Sequence, residues 1–303
     1  MIYLNKSLLS HRHTIQRRKT MKKIVAICLI LAFTFAIAFT VASCGSGNNE
    51  TTNGTTTAGT TTNGTTSGTT TQETTTTVNR ADESKSAGVM TYDQYVNADV
   101  DSKVVIEAYI QAKQVYSEQY GNTTLYLQDA DGAYFVYRLA CTAEDYATYT
   151  IGKKVKISGV KAVWSGEVEI TDATIELLDG YYVAEAKDAT ALLANEEELI
   201  KLQNQLVSFK GLTVAASKDA DDKEVAYLYK WNGTGAEGDD LYFNVTLDGK
   251  TYQFLVESDL CGADTDVYKA VKNLKIGDKI DVEGFLYWYN GVNPHITSVQ
   301  IVK

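Results

Sequence analysis

Nine residues, Ile151-Gly152-Lys153-Lys154-Val155-Lys156-Ile157-Ser158-Gly159, return 125 positions later as Ile276-Gly277-Asp278-Lys279-Ile280-Asp281-Val282-Glu283-Gly284. Each copy reads as a glycine turn, a strand of alternating apolar and polar residues, and a second glycine. An aromatic hairpin tip follows, Val163-Trp164-Ser165-Gly166 in one copy and Tyr287-Trp288-Tyr289-Asn290-Gly291 in the other. A closing strand comes next, Glu167 to Ile175 or His295 to Ile301. Self-similarity at so long a period means that one small unit has been used twice, and any fold assigned to the chain must accommodate both copies.

The rest of each unit is read from the same alternation. In the first, a short helix is expected around Tyr92, Tyr95 and Val96, and a strand from Lys103 to Val115. Thr124–Gln128 and Tyr134–Arg138 flank Asp129-Ala130-Asp131-Gly132, a hairpin pattern, and Thr142–Tyr149 is a candidate helix. In the second, Leu206–Ala215 is the first strand, Leu241-Tyr242-Phe243 matches Leu125-Tyr126-Leu127, and Cys261 matches Cys141. Between its first two strands this copy inserts Ser217 to Asp240. Ala189–Gln203 reads as a helix joining the two units.

Three strands, a helix and two strands resemble the OB-fold, a five-stranded Greek-key barrel. The resemblance covers about 100–178 and 205–302. It implies an all-β chain of two tandem barrels and names no catalytic residue. The expected organisation is 1–43 an upstream extension plus signal, 44–88 a linker, 89–180 the first barrel, and 181–303 a linking helix with the second.

Met21-Lys22-Lys23 and the apolar run Ile24–Phe39 have the layout of a secretory signal, and residues 1–20 read as an upstream extension. The run ends in Val41-Ala42-Ser43-Cys44, which resembles the lipobox of bacterial lipoproteins. That resemblance implies acylation of Cys44 (palmitate or a similar chain) and attachment to the extracytoplasmic face of a bacterial membrane. The competing reading is a plain membrane helix with an incidental Cys, for which the run is short against the roughly 20 residues a span needs. From Gly45 to Val78 the chain is nearly all Thr, Gly, Asn and Ser. It is expected to remain an unfolded tether of root-mean-square span roughly 30–35 Å.

Charge narrows the function. The formal net charge is −10, from 28 Lys and Arg against 38 Asp and Glu. Seven of the bases and none of the acids fall in the first 43 residues, so the remainder carries a net charge of −17. Affinity for a nucleic acid comes largely from counterions released to Lys and Arg, so this balance makes nucleic acid an unfavoured partner. His295 is the one histidine beyond the signal, and a strand-edge role is expected for it rather than metal binding or a Ser-His-Asp arrangement. Acidic runs such as Asp219, Asp221, Asp222, Asp239 and Asp240 lack the spacing of a Ca²⁺ loop. No cofactor is expected, and Cys141 and Cys261 read as two buried thiols, with a bridge between them as the alternative in an oxidising exterior.

Aromatic residues at turns are what remain. Trp231 in the insertion and Tyr287, Trp288 and Tyr289 at the tip would stand at one barrel mouth, where OB-folds take ligands. They would stack on a ligand, while Asn232, Asn290 and Asn293 hydrogen-bond to it. Packing of the same rings within the barrels is an equal alternative. The expected function is a lipid-anchored, non-enzymatic binding module for a neutral glycan or a protein partner. Single-stranded nucleic-acid binding and a purely structural scaffold are the rivals.

Overall fold

A computed structural model describes residues 84–302 together with Asn79 and Ala81. Cys44, the apolar run before it and the Thr/Gly-rich stretch lie outside the described residues. Strands β1 (Lys103–Lys113), β2 (Asn122–Gln128), β3 (Ala133–Ala140), β4 (Lys153–Trp164) and β5 (Glu167–Tyr181) close a barrel in the order β1-β2-β3-β5-β4.

The second copy begins with β6 (Lys187–Asp188) and β7 (Leu206–Ala215). The insertion contributes β8 (Ser217–Lys218), β9 (Glu224–Val225) and β10 (Leu228–Tyr229). Then come β11 (Leu241–Leu247), β12 (Lys250–Val256), β13 (Lys279–Phe285) and β14 (His295–Val302). Because β11 also pairs with β7, the ring β7-β11-β12-β14-β13 repeats the strand order of the first barrel. In each barrel the third and fifth strands meet in parallel, at Phe135↔Glu169 and at Leu255↔His295. The protein is mostly β, with two tandem five-stranded barrels of OB-fold order.

The repeated glycines have a structural reason. Gly152 and Gly277 turn the chain at φ of +83° and +95°, backbone that side chains with a Cβ rarely adopt. Gly159 and Gly284 instead sit where the fourth strand runs close under the fifth. A Cβ on Gly159 would lie 2.6 Å from Ile170 Cγ2, and one on Gly284 2.3 Å from the His295 carbonyl oxygen. The register slips at both places, so each second glycine marks a bulge that bends the barrel wall. We predict that Gly284→Ala destabilises the protein by about 1–3 kcal/mol or more, the usual cost of overpacking, measured as a lowered midpoint of chemical denaturation. An unchanged midpoint would refute this account of the motif.

Alternation fills both cores. Val104, Ile106, Ala108 and Ile110 of β1 pack with Leu125, Leu127, Val136 and Ile157. Phe209, Phe243, Val245, Phe254 and Val282 do the same in the second barrel. The Tyr92–Asn97 helix starts at a capping box, with Thr91 Oγ1 accepting from the Gln94 N–H and Gln94 Oε1 from the Thr91 N–H. Between β3 and β4 lies the Ala143–Thr148 helix, and between β12 and β13 the Asp266–Lys272 helix, which buries Val267, Tyr268 and Val271.

The single helix expected over Ala189–Gln203 is broken into a 3-10 turn at Thr190–Leu192, one α-turn at Glu196–Leu199 and a second 3-10 turn at Ile200–Leu202. Asn195 interrupts it by capping the α-turn, accepting from the Glu198 N–H. Ala189, Leu193, Leu199 and Leu202 still reach the second core.

The joint between the barrels and the candidate binding surfaces

In an OB-fold the outer face of strands two and three, with the loops joining strands one to two and four to five, is the usual ligand side. In the first barrel that face is aromatic, with Tyr126 on β2 and Phe135 and Tyr137 on β3. The second barrel covers it. Phe285 packs tilted against Tyr126 with ring centroids 4.7 Å apart, and Tyr287 meets Phe135 edge-on at 5.3 Å. Tyr126, Phe135 and Phe285 form one buried cluster, with Leu206, Leu260, Tyr137 and Tyr287 packed around it.

Polar groups lock the same joint. Glu167, at the start of β5, is fully buried. Its Oε2 accepts from the Trp288 backbone N–H at 2.9 Å and from Gln203 Nε2 at 3.1 Å. Gln128 Oε1 accepts from the Leu206 N–H, and the Asn290 N–H donates to the Ser165 carbonyl. Gln114 Nε2 donates to both oxygens of Glu257, at 2.6 and 2.8 Å. Tyr126 Oη lies 2.6 Å from His295 Nδ1.

Burial pushes the Glu257 carboxyl up to about 7 and the Glu167 carboxyl well above its ordinary range. Burial also pushes His295 down to about 3, which keeps the imidazole neutral beside the Tyr126 hydroxyl. His295 does start a strand, as expected, yet it is a buried joint residue stacked at 4.2 Å under Tyr287. Tyr126 and His295 are buried, while the Glu257 side chain keeps 18 % of its surface exposed at the edge of the joint.

The predicted ligand residues divide accordingly. Trp288 is only 6 % exposed, and its ring fills the space beside Gly166 of the other barrel. The expectation that it stacks on a ligand beside Trp231 is corrected. A hairpin tip has little core of its own barrel to enter, but the neighbouring barrel supplies one. Tyr287 is half-buried between Phe135 and His295, and Asn293 donates its N–H to the Tyr287 carbonyl. Tyr289 and Asn290 are exposed at the tip.

Trp231 is 70 % exposed, and among the described residues it makes no ring contact. Its loop is nonetheless pinned. Asn232 Oδ1 accepts from the Thr234 N–H and hydroxyl, and the Lys230 N–H donates to the Asp240 carbonyl. The acidic residues nearby spend oxygens on the loops themselves. Asp219 Oδ1 accepts from the Asp221 and Lys223 N–H groups, and Asp240 Oδ1 accepts from the Ser258 N–H and hydroxyl.

One surface was not anticipated. Arg138 is exposed on β3, its guanidinium 5.0 Å from the centre of the Tyr137 ring and 5.6 Å from that of Tyr120. Tyr120 is 62 % exposed and lies in the loop between β1 and β2. These three residues form the uncovered margin of the outer β2–β3 surface that the second barrel otherwise covers. Nothing local in the sequence links Tyr120 to Arg138; the β2–β3 hairpin brings them together. Cys141 and Cys261 are free thiols, the first half-buried and the second buried, where burial raises its thiol to about 11.

No protein-family model and no curated protein sequence matches this chain. Among solved structures, a murine DNA-binding protein bound to double-stranded DNA is similar at 12 % identity, covering 66 % of this chain and 96 % of that one, with a TM-score of 0.31. The tetrameric p202 HIN2 is similar at 10 % identity, covering 68 % and 96 %, with a TM-score of 0.29. A replication protein A heterotrimer bound to single-stranded DNA is similar at 14 % identity, covering 66 % of this chain and 49 % of that one, with a TM-score of 0.26.

Proposed function

We propose that this chain is a non-enzymatic binding module whose ligand is an uncharged glycan or a protein partner, held at the second barrel by Trp231 with Asn232 and by the Tyr289-Asn290 tip. The observation that carries this reading is an indole 70 % exposed on a loop tied down by its own hydrogen bonds. A ring held out on an ordered loop loses little entropy when a ligand stacks on it. The acidic balance beyond residue 43 favours a neutral ligand over a polyanion. On a glycan array, Trp231→Ala should lose at least about tenfold in affinity, a difference of about 1.4 kcal/mol, with no change in melting temperature. Binding that survives the substitution would remove the site.

Nucleic acid is the second reading. The observation on this chain that favours it is Arg138 lying against Tyr120 and Tyr137, since single strands stack on aromatic rings and pair with cations. It predicts binding to single-stranded DNA at low salt that falls steeply as salt rises and is lost in Arg138→Ala. Absence of binding at low salt eliminates it.

The anchor proposed from the sequence places this module on the outer face of a bacterial membrane. Labelling of the full chain with a radioactive fatty acid in a bacterial host should disappear in Cys44→Ala. Persistent labelling would refute the assignment.

A further inference from the structure

Residues 84–90 lead into the first barrel as a strap with neither helix nor strand. At its far end the Met90 N–H donates to the Val105 carbonyl. Ahead of that point Lys85 turns inward across β1 to the turn between β2 and β3. Its Nζ donates to the Glu107 carbonyl at 3.0 Å and lies against Asp129 Oδ2. Both side chains are withdrawn from water, the lysine to 12 % exposure and the aspartate to 1 %.

Each oxygen of the Asp129 carboxyl has a second fixed neighbour. Oδ1 accepts from the Asp131 and Gly132 N–H groups, both at 2.9 Å. Oδ2 accepts from the Tyr134 hydroxyl at 3.4 Å. Burial holds that hydroxyl well above its ordinary range, so it keeps its proton. Tyr92 closes the site, its ring so near the turn that a Cβ on Gly132 would lie 2.4 Å from it. The same ring meets Tyr134 edge-on at 5.6 Å.

An amine touching a carboxyl oxygen is one bond away from the carbon it can attack. The paired N–H groups at Oδ1 stand where negative charge develops during such an attack, as preorganised donors do in acyl transfer. Groups held in reacting geometry behave as though present at about 10⁵–10⁸ M. That advantage works against the hydrolysis that dilute amines and carboxylates favour in water, and the site is almost dry.

We propose that Lys85 and Asp129 condense to an intramolecular isopeptide bond. The ammonium passes one proton to Oδ2, and the freed Nζ lone pair attacks Cγ. Oδ1 becomes an oxyanion held by the Asp131 and Gly132 N–H groups. A second nitrogen proton then reaches Oδ2, beside the hydrogen bond that Tyr134 donates. The Cγ–Oδ2 bond breaks, the Cγ–Oδ1 double bond returns and one water leaves. Nζ keeps its third hydrogen, and nothing is oxidised or reduced. The product ties the strap to the β2–β3 turn by a covalent bond. It shares no residue with the Trp231 loop and does not rest on the function proposed for it.

The test is peptide mass analysis of the full chain, denatured and then digested with trypsin. In the parent, cleavage after Lys85 should fail. Residues 81–103 should appear joined to residues 114–138 in one branched species, lighter by one water than the two peptides together. Lys85→Arg keeps a cation beside Asp129 but replaces the amine with a guanidinium, a far poorer nucleophile. Its digest should release residues 114–138 as a separate linear peptide, as should that of Asp129→Ala. Cleavage after Lys85 in the parent, with both peptides linear and of full mass, would reduce the contact to a buried ion pair and overturn the inference. A branched species that persists in Lys85→Arg overturns it as well.

Discussion

Replacing Trp288 by alanine should cost about 3–5 kcal/mol of stability, the range for deleting a large buried aromatic side chain. The indole sits beside Gly166 of the opposite barrel, and its backbone N–H holds Glu167. The substitution leaves a void in the joint. Chemical denaturation should show an earlier midpoint, and limited proteolysis should cut sooner between the barrels, near Tyr181–Lys187. A ring serving only to stack on ligand would leave both measurements unchanged. A loss below about 1 kcal/mol, within the range of ordinary surface substitutions, would return Trp288 to the ligand-binding set.

The second large effect concerns pH. Glu257 has its carboxyl raised to about 7 by burial, against 4.5 when the chain is unfolded. Below pH 4.5 both states hold the proton and the group contributes no penalty. Between 4.5 and about 7 the unfolded chain has released the proton while the folded one retains it, so stability falls as pH rises. Above about 7 the full penalty persists. At about 1.4 kcal/mol per pH unit it reaches about 3 kcal/mol.

Glu257→Gln keeps an oxygen for Gln114 and removes the charge. The variant should match the parent near pH 4 and be more stable by up to about 3 kcal/mol at pH 8. His295 works in the opposite sense, losing stability as pH falls from 6.5 toward its depressed value of about 3, but it is present in both proteins and cancels in the difference. Equal stabilities of the two proteins at pH 8 would show that Glu257 is not buried at the joint.

The joint explains why part of the candidate site was misplaced by sequence reasoning. Alternation identified the strands themselves, because a single barrel decides which face is core. Tyr126, Phe135, Phe285 and Tyr287 point outward from their own barrels, and a sequence pattern gives an outward aromatic no partner. Exposed platform and buried joint then look alike. Two tandem copies of one fold have their ligand faces available to each other, and here the first barrel spends its face on the second. Gln114, Glu167 and Glu257 were invisible for the same reason: their partners lie 36 to 143 positions away in sequence.

What the chain's order of residues determined alone was the barrel blueprint and its duplication. Glycines at the turn and at the bulge, with period-2 strands between them, are local requirements that any copy of this barrel must meet. Leu206–Ala215 was legible to the residue, and the Thr142–Tyr149 helix nearly so. What only the tertiary structure decided was which aromatic surface stays open. Burial of Trp288 and exposure of Trp231, the contact of Lys85 with Asp129, and the pairing of Arg138 with Tyr120 all depend on surfaces meeting across long stretches of chain. Such meetings are set by shape and desolvation, and leave no periodic trace in a sequence.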